Sequence, residues 1–292
     1  MAEHTAGREA ESGEPAEELA PILTAHLFAQ IERLLIELLS TLAPADWERP
    51  TLAPEWTVKD VAAHLLDTQL RKLSIGRDGH FSERPQLASP ADLVWFIDRL
   101  NREGVTLYRR FSPAVLISLL KVTASESSEY HQSLDPFGRA RFAVSWAGEA
   151  ESRNWFDTAR EYTERWHHQQ QIRLAVDRPG IMTRPLYYPV LDTFMRALPY
   201  HYRDVERAAG VTLRVRVSGD CGGDWHLCRA SAAWRLVAAA SAESVGQVSI
   251  PQEIAWRLFT KGIDRQAAAA QMAFGGDLDL ARHILGMRTI VG

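Results

Sequence analysis

Residues 57–75 read TVKDVAAHLLDTQLRKLSI, and this stretch decides the fold. Thr57 is an N-cap residue and Asp60 follows three positions later, in the place that closes a capping box. Apolar residues then recur at helical spacing, so the segment is a helix reaching about Ile75, where Gly76, Gly79 and Pro85 break it. Upstream, APADWERPTLAPEW (residues 43–56) carries three prolines and must be a connection. Before it, Leu23, Leu27, Ile31, Leu34 and Leu38 form one apolar stripe of a first helix.

Downstream, Ser89-Pro90 opens another helix with Leu93, Ile97, Leu100, Leu107 and Phe111 on its buried side. Residues 112–150 are less regular, with a short helix over 113–122, a turn at Asp135–Gly138, and RFAVSW (141–146) as a strand or extended stretch. Helices follow from about Trp155 to Val176 and from Pro189 to Ala209. Four main helices with one irregular excursion indicate a bundle. At Gly210 the period changes: VTLRVRVS alternates, GDCGGD is a turn, WHLCRA resumes as a strand, and further strands fall at 233–237 and 245–250. Helices over 251–262 and 278–287 complete an α+β domain, with Gly275-Gly276-Asp277 as turn and helix cap.

The 292 residues, 46% hydrophobic, suffice to bury a sizeable core. With 33 Lys+Arg against 37 Asp+Glu, the chain lacks the basic excess of a nucleic-acid binder. Residues 1–18 are polar and acid-rich and read as a disordered leader rather than a signal peptide. No segment is apolar enough to span a bilayer. The only cysteines, Cys221 and Cys228, make no disulfide framework and point to a reducing, cytoplasmic setting.

Histidine carries the chemistry. His64 lies mid-helix among aliphatics, a place where a hydrogen-bonded core histidine is commoner than a ligand. In AREYTERWHHQQQIRLAV (159–176), Glu164 and His168 are four apart and share one helix face; His167, three from Glu164, competes for the same role. Such a pair alone is often a solvated ion pair. Together with His64 from a facing helix, it makes two imidazoles and one carboxylate, a set suited to zinc with one position left open. Nickel or ferrous iron accept the same ligands. Asp60, Asp67 and Gln171 flank the histidines at helical offsets and read as ordinary surface polar groups. Trp146, Trp155 and Trp166 read as core fillers.

The stretch ADWERPTLAPEWTVKDVAAHLLD (45–67) resembles the N-terminal signature of the mycothiol-dependent maleylpyruvate isomerase family, within the DinB-like and YfiT-like bundles. The matching residues are Trp47, Pro50-Thr51, Trp56-Thr57-Val58, Asp60-Val61 and His64-Leu65. The resemblance implies a multidomain chain: a DinB-like four-helix bundle over residues 19–209, then a small sterol-carrier-like α+β domain over 210–292. It implies a divalent metal, usually zinc, with ligand roles falling on His64, Glu164 and His168. It also implies a low-molecular-weight thiol such as mycothiol as cosubstrate, a small electrophilic substrate, and isomerisation or S-transfer. Nucleic-acid and membrane partners are not expected, and a homodimer stays open. Arg214, Arg216, Arg229 and Arg257 are the candidates for the family's catalytic arginine, each also readable as a solvated charge. Two other readings of the same site are a zinc-hydroxide hydrolase and a non-enzymatic ligand-binding protein with a structural metal.

Overall fold

The structure, a computed structural model, describes residues 19–83, 85–86, 88–239 and 243–290. The leader expected over 1–18 lies outside the described residues. The helical part comprises α1 (Phe28–Ser40), α2 (Val58–Lys72), α3 (Pro90–Tyr108), α4 (Pro113–Ser133), α5 (Asn154–Ala175), α6 (Arg184–Met195) and α7 (Leu198–His201). The remainder comprises strands β1 (Thr212–Ser218), β2 (Gly223–Arg229), β3 (Trp234–Val237), β4 (Gly246–Pro251) and β5 (Ala273–Gly276) with helices α8 (Gln252–Phe259), α9 (Arg265–Ala269) and α10 (Leu278–Arg282). The fold is thus a helical N-terminal domain followed by an α+β domain. Among the described residues, no helix is long and apolar enough to cross a membrane.

The start of α2 is built as its sequence dictates. Thr57 Oγ1 accepts from the Asp60 amide at 3.3 Å, and the Asp60 carboxylate accepts from the Thr57 amide at 3.1 Å. Arg109 then clamps Asp60 with two hydrogen bonds of 2.7 and 3.0 Å. Burial alone would push the Asp60 carboxyl up. The bonds from Arg109 and Thr57 outweigh it and hold the group below its ordinary value. Thr57→Ala is expected to lower stability by about 1 kcal/mol in urea unfolding, the usual cost of losing an N-cap.

Several boundaries differ from the sequence expectation. Leu23 lies ahead of the first helix and is 51% exposed, so the apolar stripe begins at Leu27. The short helix expected over 113–122 continues to Ser133, because small residues and Thr123 keep a buried face through its second half. RFAVSW forms no strand; only a single turn, Ser145–Ala147, is regular there. The helix expected from Pro189 starts earlier, at Arg184, and holds Pro189 within it. It ends at Met195, and only α7 follows before β1. Strand β5 was hidden in a stretch with no alternation. It pairs antiparallel with β4, and Gly276 closes it at φ 67°, where a Cβ would stand 2.0 Å from the Val245 carbonyl oxygen. Asp277 caps α10 through its side chain, in the cap position its sequence indicates.

Strand order is β3-β2-β1-β4-β5, with β1 and β4 parallel and the other pairs antiparallel. Leu213, Val215 and Val217 face inward while Arg214 and Arg216 face out, as period two requires. The inward face joins a buried cluster with Tyr162 and Trp166 of α5, Val190 and Phe194 of α6, and Trp256 of α8. A second cluster packs Leu35 and Leu39 of α1, Val61 and Leu65 of α2, Leu116 and Leu120 of α4, and Ile172 of α5.

Candidate metal centre

Helices α2 and α5 pack against each other and bring three donors together. Nitrogens of His64 and His168 and an oxygen of Glu164 lie within 4.8 Å of one another. Both histidines are buried, whereas Glu164 is partly exposed. His168 Nε2 lies 3.5 Å from Glu164 Oε2, and the two imidazole centroids are 4.6 Å apart. Trp56 forms a wall, its ring 4.8 Å from His64 and 6.4 Å from His168. The loop holding it is tied by Thr51, whose hydroxyl donates to the Trp56 carbonyl at 2.9 Å. His167 is engaged elsewhere: its Nδ1 meets the Thr163 carbonyl at 2.9 Å, although its ring centroid lies 3.9 Å from that of His168, tilted by 37°.

The protonation states suit a cation. Burial, then the nearby charges of His168 and Arg71, pushes His64 well below the ordinary imidazole value, so it stays neutral with a free lone pair. Burial likewise lowers His167 to about 4. Glu164 is pushed up by burial, but the nearby His167 and His168 outweigh this and keep it an anion. Two imidazoles and one carboxylate are the donor set of an open zinc site. His64 Nδ1 is buried without a hydrogen-bond partner. Metal–ligand bonds of about 2.0 Å in a tetrahedron place donors roughly 3.3 Å apart. The 3.5 Å Glu164–His168 separation already matches such an edge. The residues fit a divalent ion.

A polar layer that sequence spacing missed runs beside these donors. Lys72 Nζ lies 2.8 Å from Asp157 and 3.3 Å from Glu161. Arg160 pairs with both of these acids. Arg165, fully buried, reaches Glu32 at 3.2 Å and Glu161 at 3.8 Å, and donates to Thr68 at 3.0 Å. Charged helix residues this dense normally mark a solvated face, and only tertiary packing buries them. Gln171, also read as a surface group, is 4% exposed and bonds His168 Nδ1 at 2.9 Å. Asp60 is buried under Arg109, and Asp67 pairs with Arg71 at 2.7 Å. Trp166 fills the core, stacked 4.2 Å from Tyr187.

The arginine candidates separate by place. Arg214 pairs with Asp224 at 2.7 Å on the outer sheet face, beside the exposed Arg216. Arg229 and Arg257 each have a buried Nε without a partner. A Cβ on Gly262 would lie 3.5 Å from the Arg257 backbone and 3.4 Å from Leu52.

The folding pattern is that of a helical domain in which His64, Glu164 and His168 each offer one donor atom within 4.8 Å of the others. A family model, the mycothiol maleylpyruvate isomerase N-terminal domain, matches residues 28–173, half of the chain, and the chain belongs to that family. Similar solved structures include the mycothiol-dependent maleylpyruvate isomerase (14% identity, TM-score 0.42) and a point mutant of it (13% identity, TM-score 0.45). Each alignment covers 82% of this chain and 91% of that one. No curated protein matches the chain.

Proposed function

We propose that the protein is a divalent-metal-dependent enzyme that uses a low-molecular-weight thiol of the mycothiol kind to isomerise, or transfer sulfur to, a small electrophilic substrate. The observation that carries this reading is the convergence of His64, Glu164 and His168 in a membership already shown for the family. His64 and His168 would offer imidazole nitrogens, and Glu164 would offset one of two positive charges. A divalent ion there, zinc first and nickel or iron as alternatives, would supply the net positive charge that keeps a thiol as thiolate near neutral pH.

The chain's own residues do the rest. Trp56 screens the imidazoles from water on one side. Arg229 and Arg257, each with a buried Nε that has no hydrogen-bond partner, are the arginines we hold as candidates for a substrate carboxylate. Cys221 is buried, with its thiol pushed up by burial, and neither cysteine belongs to the donor cluster. The nucleophile therefore comes from outside the protein. Its thiolate sulfur forms a bond to one carbon of a conjugated double bond, whose π electrons shift onto the adjoining carbonyl. Rotation about the resulting single bond follows. Return of the electrons breaks the C–S bond and releases the thiolate unchanged; protonation of the carbon instead leaves a thioether. The division at Gly210 and a cytoplasmic setting belong to the same proposal.

The test is turnover of a cis-configured conjugated keto acid by metal-loaded protein with and without added thiol. Isomerisation that requires thiol and regenerates it supports the reading. A hydrolytic rate indifferent to thiol overturns it in favour of the hydrolase, and tight ligand retention without turnover overturns it in favour of a binding protein.

A further inference from the structure

Glu164, His168 and Gln171 form one column along α5. Gln171 is 4% exposed and its Oε1 lies 2.9 Å from His168 Nδ1. An amide oxygen only accepts, so this bond selects the imidazole tautomer protonated on Nδ1. The lone pair then sits on Nε2, the atom 3.5 Å from Glu164 Oε2. The other ring nitrogen that neighbours the cluster, His167 Nδ1, is bonded to a backbone carbonyl, and His64 Nδ1 has no partner. Gln171 is thus the side chain that orients one of the two clustered imidazoles.

We propose that Gln171 is a positioning residue with two functions. It fixes His168 in the tautomer and ring orientation that a cation requires, and it does so without adding charge. Partners of metal-bound histidines are commonly carboxylates, which raise ligand basicity. A carboxylate at 171 would also cancel the single positive charge that two imidazoles, one glutamate and a divalent ion leave behind. The neutral amide keeps that charge for an anionic cosubstrate. This inference rests on the metal reading above.

The experiment compares the wild type with Gln171→Leu and Gln171→Glu. In metal-free, isotope-labelled protein, ¹⁵N resonances report the His168 tautomer: the Nδ1–H form in the wild type and in Gln171→Glu, a shift toward the Nε2–H form in Gln171→Leu. In cobalt titrations against a chelator, Gln171→Leu is expected to weaken binding about 10–100-fold, and Gln171→Glu to bind at least as tightly as wild type. With N-acetylcysteine as probe, the thiolate-to-cobalt absorption of Gln171→Glu is expected to need at least about tenfold more thiol than wild type, the effect of one added negative charge at close range. A merely structural role would not move metal and thiol affinity in opposite directions. The inference is overturned if Gln171→Leu binds cobalt within about twofold of wild type with its tautomer unchanged, or if Gln171→Glu weakens cobalt as Leu does. The wild-type titration is read first: no cobalt uptake there overturns the metal reading itself, which separates that failure from a failure at Gln171.

Discussion

His64→Ala is expected to abolish metal-dependent stabilisation. Wild-type protein should take up about one divalent ion per chain, as the three-donor set of His64, Glu164 and His168 allows. At free metal about 100-fold above its dissociation constant, the gain is about 2.7 kcal/mol. In a chain of this size that raises the melting temperature by roughly 5–10 °C. The variant keeps Glu164 and His168 on one helix but loses the donor that α2 contributes, so metal no longer bridges the two helices. Glu164→Gln and His168→Ala should behave alike. Metal-free His64→Ala falls only by the cost of a small cavity, since the imidazole it removes carries an unpartnered Nδ1. Metal analysis and thermal melts with and without zinc decide the matter. Full metal content in all three variants would end the assignment.

Arg165→Met should cost still more in the absence of any ligand. Arg165 is buried between Glu32 at 3.2 Å and Glu161 at 3.8 Å, and its removal leaves two carboxylates without their shared cation. Breaking one side of a buried pair typically costs about 3–5 kcal/mol, a large part of the roughly 5–15 kcal/mol that holds a domain. Adding Glu32→Met to it should recover much of the loss, because the apolar pair no longer buries an orphan charge. Burial, opposed by Arg165, leaves the Glu32 carboxyl raised, so this residue favours the fold at low pH and loses that contribution as pH rises. The rest of the layer has the opposite sign. His131, buried on α4 and near Lys72, is pushed down to about 4 by burial and Lys72, so its contribution is full above about pH 6.5 and drains away toward pH 4. Asp157 and Glu161, where Lys72 and Arg160 outweigh burial, are held low and lose theirs only in stronger acid. Urea unfolding of the metal-free protein should therefore show stability falling from pH 7 to 5. A loss under about 1 kcal/mol for Arg165→Met would show that the layer is not the buried ionic system described.

What was legible in the chain follows a physical line. Local chemistry was readable: the Thr57–Asp60 cap, the alternation of β1, and the four-residue spacing of Glu164 and His168. These depend on neighbours in sequence. Burial of α5 was not readable, because its sixteen buried positions include Asp157, Glu161, Arg165 and three glutamines, and the ionic groups among them find partners on α1, α2 and α5 itself. Gln171 looked like a surface group for the same reason. The α4 extension and β5 were missed because small residues and glycines carry little periodic signal, while Pro189 was taken for a helix start when it lies inside α6.

Helix α5 gives the molecule a common wall. One side carries Glu164 and His168; the other sends Tyr162 and Trp166 into the cluster that the β-sheet and α8 complete. Trp166 meets Trp256 edge-on at 6.0 Å, and Tyr187 ties α6 to the start of α8 through the Gln252 carbonyl at 2.7 Å. The C-terminal part is therefore not a detachable appendage. Truncating it would strip α5 of its backing, and a fragment ending near residue 209 would present a wide oily surface to water. Random damage in the sheet, outside the His64, Glu164 and His168 cluster, would register first as poor solubility and only then as lost chemistry.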